Sequence, residues 1–463
     1  MGNLLGAPVT DKETHSGRAA DGVQYAVSSM QGWRVHMEDA HITEPTLYVI
    51  KEDKATTTTA SDKTANNNST TSTSSPASYQ LEALPGHSLF AVFDGHGGSY
   101  AAIYAGRNLC RVLSRQPLFH QYADALRKHE AQSARLSETA VGQLNDLLQR
   151  ALTQAFCDVD AEIALALQGN PVPEADQPYP PTKENLSNKN TTTATNTTNN
   201  NNASSTTTTS TSATSESSNN STNPDDARNN TINIDEEGDS GTTACVVLLT
   251  PHSILCANAG DSRSVLATSS LSDSDAVIPL SFDHKPDDAP EEARIRAAGG
   301  YVAGGRVEGD LAVSRGLGDF RFKDLGHVAG RDPAVVGQQK VSPVPDCVVL
   351  SRTTNNNNSS SNSSSPPKQQ YILVACDGIF DVQTNEQAVE LVNSLYTEGE
   401  TDLALMCEEV ADICLQLGSK DNMTVLLVQL EAPPPNSTGG GGVLARRQKR
   451  QEQAQAREQS TGP

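Results

Sequence analysis

Four short runs of β-branched and aliphatic residues set the first limit on how this chain can fold. They are Ser88–Phe93, Thr242–Leu249, Tyr371–Cys376 and Met423–Leu430. Apolar runs of this length, bounded by glycine, proline or acidic residues, are typical of buried β-strands. The chain therefore needs a substantial β-sheet, and shorter strand candidates at Gln24–Met30, Ser253–Ala257 and Ser264–Ala267 extend it.

Helical periodicity in five further segments completes the fold class. The segments are 99–114, 136–166, 288–298, 385–397 and 402–417. Ser137 has the residue type of a helix N-cap, and Pro290 that of a helix start. Hairpins followed by helices, rather than regular strand–helix alternation, favour antiparallel sheets with flanking helices. We therefore predict an α+β fold.

Three tracts rich in Asn, Ser and Thr interrupt this pattern, at 56–75, 187–223 and 353–365. Such sequences bury too little apolar surface to offset their ordering entropy. The chain is 36% apolar as a whole. Removing the tracts and the tail brings it to roughly 43%, near the globular range. Because each tract lies inside patterned sequence, we read them as loop insertions and not as linkers between domains.

These observations predict one domain over residues 23–432. Its disordered insertions are predicted at about 51–80, 168–235 and 352–369, and a disordered tail at 433–463. The tail contains a basic cluster at 446–450. This cluster could be a nuclear signal, but a solvated basic tail is the simpler reading.

Charge and cysteine content exclude several classes of protein. The net charge of −22 argues against a nucleic-acid-binding track. No apolar run approaches the ~18 residues of a membrane helix, so we expect no stable membrane insertion. The eight cysteines show no zinc-binding spacing. Reduced thiols point to the cytoplasm or the nucleus, and a monomer is the default expectation.

The N-terminus allows one weak membrane signal. Gly2 could be myristoylated after removal of Met1, although Gly6 stands where that motif has Ser or Thr. A single acyl chain gives only reversible attachment.

Acidic residues lie at the ends of the predicted strands. Asp94 and Asp377 each follow an apolar run and precede a glycine, and Asp421 comes just before a third run. Mg²⁺ and Mn²⁺ prefer oxygen ligands, and carboxylates at the mouths of rigid strands provide them. A single Asp-Gly is more often an ordinary turn. Five acidic segments, including Glu38-Asp39 and Asp381, favour a divalent-cation site.

Eight segments in one order resemble the PP2C (PPM) family of metal-dependent serine/threonine protein phosphatases. They are RVHMEDAH (34–41), LFAVFDGHGG (89–98), SGTTACVVL (240–248), ANAGDSR (257–263), FDHKP (282–286), LAVSRGLGD (311–319), LVACDGIFD (373–381) and SKDNMTVLLV (419–428). The resemblance implies a β-sandwich of two antiparallel sheets flanked by pairs of helices. It also implies hydrolysis of phosphoserine and phosphothreonine in proteins by a water or hydroxide that bridges two Mg²⁺ or Mn²⁺ ions.

The resemblance assigns roles to individual positions. Glu38, Asp94 and the Gly95 carbonyl match the ligands of one ion, and Asp94, Asp377 and Asp421 those of the other. Asp39 matches a residue that holds metal-bound water. Arg34 matches the arginine that binds the phosphate, and His96 the general acid that protonates the leaving oxygen.

A weaker third cation site is implied at Asp261 and Asp381, with Asp377 shared. Turn-capping by Asp261 is a nearly equal alternative. The motif residues at 240–243 and Ser314-Arg315 are expected to be structural supports. Residues 285–305 resemble a flap beside the active site, and Asp310 departs from the family pattern at a position expected to face solvent.

Rival functions lack their own motifs. The chain contains neither G-D-x-H-G with G-N-H-E, nor Cys-x₅-Arg, nor Gly-Lys. These absences argue against the other two-metal phosphatases, the cysteine phosphatases and P-loop enzymes. A metal-stabilised scaffold that binds phosphoproteins without turnover remains an alternative, and the unsubstituted Arg34, His96 and ligand set argues against it.

Overall fold

The strands form two antiparallel sheets that pack face to face. The computed structural model describes residues 4–52, 79–132, 136–170, 172, 179, 239–269, 276–352, 368–431 and 441–460. The disorder predicted for the three Asn/Ser/Thr-rich tracts lies outside these residues. In the sequence, the first tract separates Glu52 from its pairing partner Tyr79, and the third follows Ser351, the last residue of a strand.

The first sheet has six strands in the order β1-β2-β18-β17-β11-β12. Their bounds are β1 Leu4–Arg18, β2 Gln24–Arg34, β11 Arg263–Thr268, β12 Val277–Pro279, β17 Gln369–Ala375 and β18 Met423–Gln429. The second sheet has five strands in the order β16-β10-β9-β6-β3. Their bounds are β3 Ala40–Glu44, β6 Ser88–Phe93, β9 Ala244–Leu249, β10 Ser253–Ala259 and β16 Asp346–Ser351.

Short strands complete the β-structure in three small sheets. A hairpin joins β4 Tyr48–Glu52 to β5 Tyr79–Ala83, and another joins β13 Val302–Ala303 to β14 Arg306–Val307. A three-stranded sheet has the order β15-β8-β7, formed by β7 Gly95–His96, β8 Gly241–Thr242 and β15 Leu317–Gly318.

Helices cover the outer faces of both large sheets. The helices are α1 Tyr100–Arg115, α2 Pro117–Gln132, α3 Glu138–Leu167, α4 Ala289–Ala297, α5 Leu325–Gly330, α6 Pro333–Val336, α7 Asp377–Phe380, α8 Asn385–Thr397, α9 Leu403–Leu417 and α10 Gly442–Ser460. Helices α1 to α3 share a hydrophobic core with the five-stranded sheet, and α8 and α9 share one with the six-stranded sheet. The predicted α+β sandwich with flanking helices is confirmed. None of the helices in the described part of the chain is long and apolar enough to cross a membrane.

The continuous apolar runs follow from burial on both faces of each strand. In β17, Tyr371 and Leu373 face the helices, while Ile372 and Val374 face the other sheet. Strands with one solvated face would alternate polar and apolar residues, and these do not. Ser137 caps α3 as predicted, because its hydroxyl accepts a hydrogen bond of 3.2 Å from the Ala140 amide.

Strand β1 was not expected from the sequence. Residues 4–18 are mostly polar and carry none of the apolar runs that identify the other strands. The segment nevertheless pairs with β2, from Leu4 opposite Arg34 to Arg18 opposite Gln24, with two irregularities in register. Backbone hydrogen bonds to an existing sheet edge, which no side-chain pattern reports, form this strand. The sheet therefore begins well before residue 23.

The prediction of a disordered tail is wrong for residues 442–460, which form α10. Arginines of this helix pair with carboxylates on the α8–α9 layer: Arg446 with Glu398, and Arg450 with Glu409. Val443 is fully buried. Pairing with acidic partners distant in sequence offsets the low apolar content that suggested disorder.

Candidate metal centre

Three aspartates converge at one end of the sandwich from different strands. Asp94 follows β6 of the five-stranded sheet, Asp377 begins α7 just after β17, and Asp421 precedes β18. Strands β17 and β18 are antiparallel neighbours, with Ala375 opposite Val425. The end of one strand therefore lies beside the start of the other. The Asp377 amide donates a hydrogen bond of 3.4 Å to Oδ2 of Asp94, which links the two sheets at the site.

Glu38 enters the same place from the connection between β2 and β3. Its carboxylate accepts a hydrogen bond of 2.9 Å from the Gly98 amide, and its own amide donates one of 2.9 Å to the Asn422 side chain. A Cβ atom at Gly95 would lie 2.1 Å from the Glu38 carbonyl oxygen. Only glycine permits this approach, which explains the Asp-Gly pair better than an ordinary turn does.

Asp39 lies close to the other carboxylates, and hydrogen bonding fixes the orientation of its side chain. Its Oδ2 accepts a hydrogen bond of 2.7 Å from the Thr424 hydroxyl, while Oδ1 is buried without a partner among the described residues. Burial, reinforced by Asp421 and Glu38 and opposed by the Thr424 hydroxyl and the neighbouring Cys376 thiol, raises the pKa of Asp39 to about 7.

The carboxylates are crowded enough to repel one another. Burial raises the pKa of Asp94 well above its usual value, and Asp377, Asp39, Asp261 and Asp421 raise it further. Burial likewise raises the pKa of Asp377, and Asp261 and Asp421 contribute. Such a group of acids is unfavourable unless cations compensate the charge.

The residues present fit divalent cations. Oδ1 of Asp377 and Oδ1 of Asp39 are buried oxygens without hydrogen-bond partners in the described part of the chain. Ligand atoms of Asp39, Asp94 and Cys376 lie within 4.8 Å of one another. The surrounding donor set is otherwise all oxygen, which suits Mg²⁺ or Mn²⁺. The centre therefore has the charge and the free oxygen atoms that such ions require.

Arg34 lies at the rim of the carboxylate group. Its Nη2 donates a hydrogen bond of 2.5 Å to Oδ2 of Asp421. Burial lowers the pKa of Arg34, but Asp421, Asp377 and Asp94 outweigh burial and raise it overall. The side chain is about one-third exposed, at 36%, and it lines an open cleft of about 340 Å³ with Lys420. Arg34 can therefore contact both the acidic centre and a ligand in the cleft.

The two residues predicted for a third cation site also lie beside the centre. Asp261 is 4% exposed, and its Oδ2 accepts a hydrogen bond from Nζ of Lys285. Burial raises the pKa of Asp381, and Lys285 opposes the rise. Lys285, which the sequence suggested only as part of a flap, thus supplies positive charge to this side of the centre.

His96 contacts an acid that the sequence analysis did not single out. Its Nε2 lies 2.8 Å from Oδ1 and 3.0 Å from Oδ2 of Asp319. Burial lowers the pKa of His96, but the charge and hydrogen bond of Asp319 outweigh burial and raise it overall. Asp319 lies in the LAVSRGLGD segment, and no local pattern indicates that it reaches a residue 223 positions away.

The residues expected to be supports act as supports. Thr242 Oγ1 donates to the Asp94 carbonyl over 3.0 Å, and the Thr243 hydroxyl accepts a bond of 3.2 Å from the Asp94 amide. Ser314 and Arg315 both bind Glu291 on α4, which fixes the segment before Asp319. Residues 285–305 form α4 and the hairpin strand β13, and Asp310 is exposed and paired with Arg321.

Fold and site together define a class: an α+β sandwich with a cluster of carboxylates, suited to divalent cations, at the ends of its two sheets. The sequence model of the protein phosphatase 2C family matches residues 182–423. The chain therefore belongs to the protein phosphatase 2C family of metal-dependent serine/threonine phosphatases.

Individual relatives agree with this assignment. The chain is 29% identical over 436 residues to a "Protein phosphatase 2C homolog 2" of Aspergillus flavus, covering 93% of this chain and 68% of that protein. It is 30% identical over 436 residues to a "Probable protein phosphatase 2C" of Caenorhabditis elegans, covering 93% and 80%. A solved serine-threonine phosphatase 2C from Toxoplasma gondii has a similar fold, with a TM-score of 0.52 at 16% identity, covering 90% of this chain and 99% of that one.

Proposed function

We propose that the protein hydrolyses phosphoserine and phosphothreonine residues of other proteins with the help of two divalent cations, Mg²⁺ or Mn²⁺. The observation that carries the proposal is the meeting of Glu38, Asp94, Asp377 and Asp421 at one end of the sandwich. Among the described residues, Oδ1 of Asp377 is buried there without a hydrogen-bond partner. Glu38, Asp94 and the Gly95 carbonyl would hold one cation, and Asp94, Asp377 and Asp421 the other. Asp261 and Asp381 would hold a weaker third.

Divalent cations held by these residues would supply hydroxide near neutral pH by lowering the pKa of a bound water. Asp39 is suited to orient that nucleophile. Its Oδ2 is occupied by Thr424, so Oδ1 is the oxygen free to accept a hydrogen bond. Thr424 belongs to the first residues of β18, which makes the orientation rigid.

Arg34 is suited to bind the phosphoryl group. Its guanidinium is planar and can donate to two phosphoryl oxygens at once, which places the ester and offsets the charge that develops on it. Nη2 is already engaged with Asp421, so the arginine is aligned with the cation ligands before substrate arrives. Arg34 also lines a cleft of about 340 Å³ together with Lys420.

His96 is suited to complete the reaction by protonating the leaving oxygen. The P–O bond to the serine or threonine breaks as the hydroxide oxygen bonds to phosphorus, and the departing alkoxide takes a proton from His96. The proton lost by the attacking water returns to His96 through solvent. Imidazole is suited to this exchange because its pKa lies close to working pH.

The test is phosphate release from a phosphothreonine peptide in Mn²⁺ or Mg²⁺, with and without EDTA. We expect activity that depends on the metal and falls more than about 100-fold in Asp94→Asn, because even outer partners of metal ligands contribute 10- to 100-fold. Asp310→Asn is the matched control, since Asp310 is exposed and lies outside the cluster. Activity that survives EDTA, or an equal rate in Asp94→Asn, would overturn the proposal.

Binding can be measured separately from turnover. Mn²⁺ should raise the thermal unfolding midpoint of the wild-type protein, because a ligand that binds only the folded state stabilises it. Asp94→Asn should lose most of that rise and Asp310→Asn should keep it. A protein that binds Mn²⁺ and phosphopeptide but releases no phosphate would be the scaffold that the sequence left as an alternative.

A further inference from the structure

His96 and Asp319 lie on the two outer strands of the small β15-β8-β7 sheet. His96 ends β7, and Asp319 directly follows β15. Between them β8 pairs Gly241 with both His96 and Gly318. The Asp319 side chain is only 4% exposed, whereas that of His96 is 29% exposed. The Asp319 carboxylate is therefore buried, and the imidazole ring of His96 is partly exposed to solvent.

The backbone at Asp319 adopts a conformation that is uncommon for residues other than glycine. Its φ is 55° and its ψ 41°, the left-handed region in which residues other than glycine are uncommon. A Cβ atom at Gly241 would lie 2.3 Å from the Asp319 carboxylate. The carboxylate can thus reach His96 only because position 241 carries no side chain.

A second set of contacts, made by Asp160 and Ser240, holds residues 318–323 in this conformation. The Gly318 amide donates a hydrogen bond of 2.8 Å to Oδ1 of Asp160 on α3, and Nζ of Lys323 donates to the same oxygen over 2.9 Å. The Asp319 amide donates to the Ser240 carbonyl over 3.1 Å. A strained residue held by contacts on both sides is more typical of a functional position than of an ordinary turn.

The hydrogen bond determines which ring nitrogen of His96 is free. A carboxylate oxygen accepts hydrogen bonds, and in this contact Nε2–H is the donor. Among the described residues Nδ1 has no hydrogen-bond partner, and it is the nitrogen left for a substrate. We propose that Asp319 is a positioning residue that orients His96 and directs Nδ1 to the leaving oxygen of the phosphoester.

The inference rests on the proposed function, because it takes His96 as the group that gives its proton to the departing alkoxide. In that step the proton leaves Nδ1 and the imidazole becomes neutral. Asp319 keeps its hydrogen bond to Nε2–H throughout. It touches neither the substrate nor the cations, so its effect is exerted through His96 alone.

A leaving-group comparison separates positioning from a structural role. Serine and threonine leave as basic alkoxides that need a proton, whereas p-nitrophenyl phosphate releases a stable phenolate that does not. General acid catalysis contributes roughly 10²–10⁴-fold. We expect Asp319→Asn to lower kcat at least tenfold on a phosphothreonine peptide and less than about threefold on p-nitrophenyl phosphate, with KM for the peptide changed less than threefold.

Four companion variants complete the experiment. His96→Ala should show the same substrate-dependent loss, and adding Asp319→Asn to it should cause no further loss. Gly241→Ala displaces the Asp319 carboxylate without removing it, and it tests the same contact if Asp319→Asn fails to fold. Glu13→Gln is the matched control, because Glu13 also pairs with a histidine, His15, but both side chains are exposed; its rates should stay at the wild-type level.

The outcomes distinguish the two claims. If His96→Ala shows the leaving-group dependence and neither Asp319→Asn nor Gly241→Ala does, the positioning role is wrong and the proposed function stands. If His96→Ala slows both substrates equally, the general-acid role fails and the positioning role fails with it. Equal losses on both substrates in Asp319→Asn, or a further loss in the double variant, would also overturn the inference.

Discussion

The ion pair between Asp160 and Lys323 tests how residues 316–323, which include Asp319, are held in place. Both side chains are excluded from solvent, with 1% and 0% of their surface exposed. Lys323 Nζ donates to Oδ1 of Asp160 and to the Gly316 carbonyl, each over 2.9 Å. Oδ2 of Asp160 has no partner among the described residues. The contacts therefore join α3 to residues 316–323 through one carboxylate oxygen of Asp160.

The free energy of unfolding that is lost when this ion pair is broken differs from the net contribution of the pair to stability. Burial raises the pKa of Asp160 despite opposition from Lys323 and the Gly318 amide, so desolvation outweighs the attraction between the charges. Asp160→Ala leaves a buried ammonium with one carbonyl partner, and we expect the free energy of unfolding to fall by about 3–5 kcal/mol. Replacing both residues, as in Asp160→Leu with Lys323→Met, should recover most of that loss.

The assay is urea unfolding followed by fluorescence of Trp33, the single tryptophan of the chain. Cations must be absent, so that only the fold is compared, and an unchanged m-value is needed to read the midpoint as stability. Glu292→Ala is the control, because the Glu292–Arg296 pair is exposed on a helix surface and should be worth about 0.3–0.5 kcal/mol. A loss below about 1 kcal/mol in Asp160→Ala, or a double variant less stable than either single one, would refute this reasoning.

Three further predictions follow from other contacts. Asp377→Asn should abolish activity yet raise the thermal midpoint in EDTA, because it relieves the repulsion that, after burial, raises the pKa of that carboxyl; an unchanged or lower midpoint would contradict it. His87 is buried, and burial lowers its pKa to about 4, so the unfolded chain binds more protons below pH 6.5. Stability should therefore fall by up to about 3 kcal/mol between pH 6.5 and 4, measured by urea midpoints. His87→Asn should show a shallower slope, and an equal slope in the variant would count against this assignment. Arg450→Ala should cost about 2 kcal/mol, since it leaves the fully buried Glu409 side chain with a weaker partner, and hydrogen exchange should become faster in α10 first; unchanged exchange there would show that the pairing does not hold the helix.

Much of the fold and the centre could be predicted because the relevant signals are local. Apolar runs such as Ser88–Phe93 form strands wherever both faces are covered, and the bounds of this strand agree with the structure residue for residue. Asp94 and Asp377 were recognisable as site candidates because each stands where such a run ends. The carboxylates meet because antiparallel neighbours place the end of one strand beside the start of the next.

The features that the sequence did not reveal depend on partners far along the chain. Strand β1 is polar and exists through backbone pairing with β2, and α10 is held by acids about 40 to 50 residues before it, such as Glu398 and Glu409. Neither contact produces a periodic pattern in the sequence. The pairing of β1 is made by backbone atoms, and the contacts of α10 are made by charged side chains on two surfaces.

Sequence patterns alone indicate a β-sandwich, acids at the strand ends and a resemblance to the protein phosphatase 2C family. How the acids are held, and which residue His96 contacts, depends on the tertiary structure. Thr424 leaves one Asp39 oxygen free, Lys285 binds Asp261, and Asp319 reaches His96 across a glycine. Hydrogen bonds of this kind depend on the position of side chains to a fraction of an ångström, and that position is a property of the packed fold rather than of any local pattern.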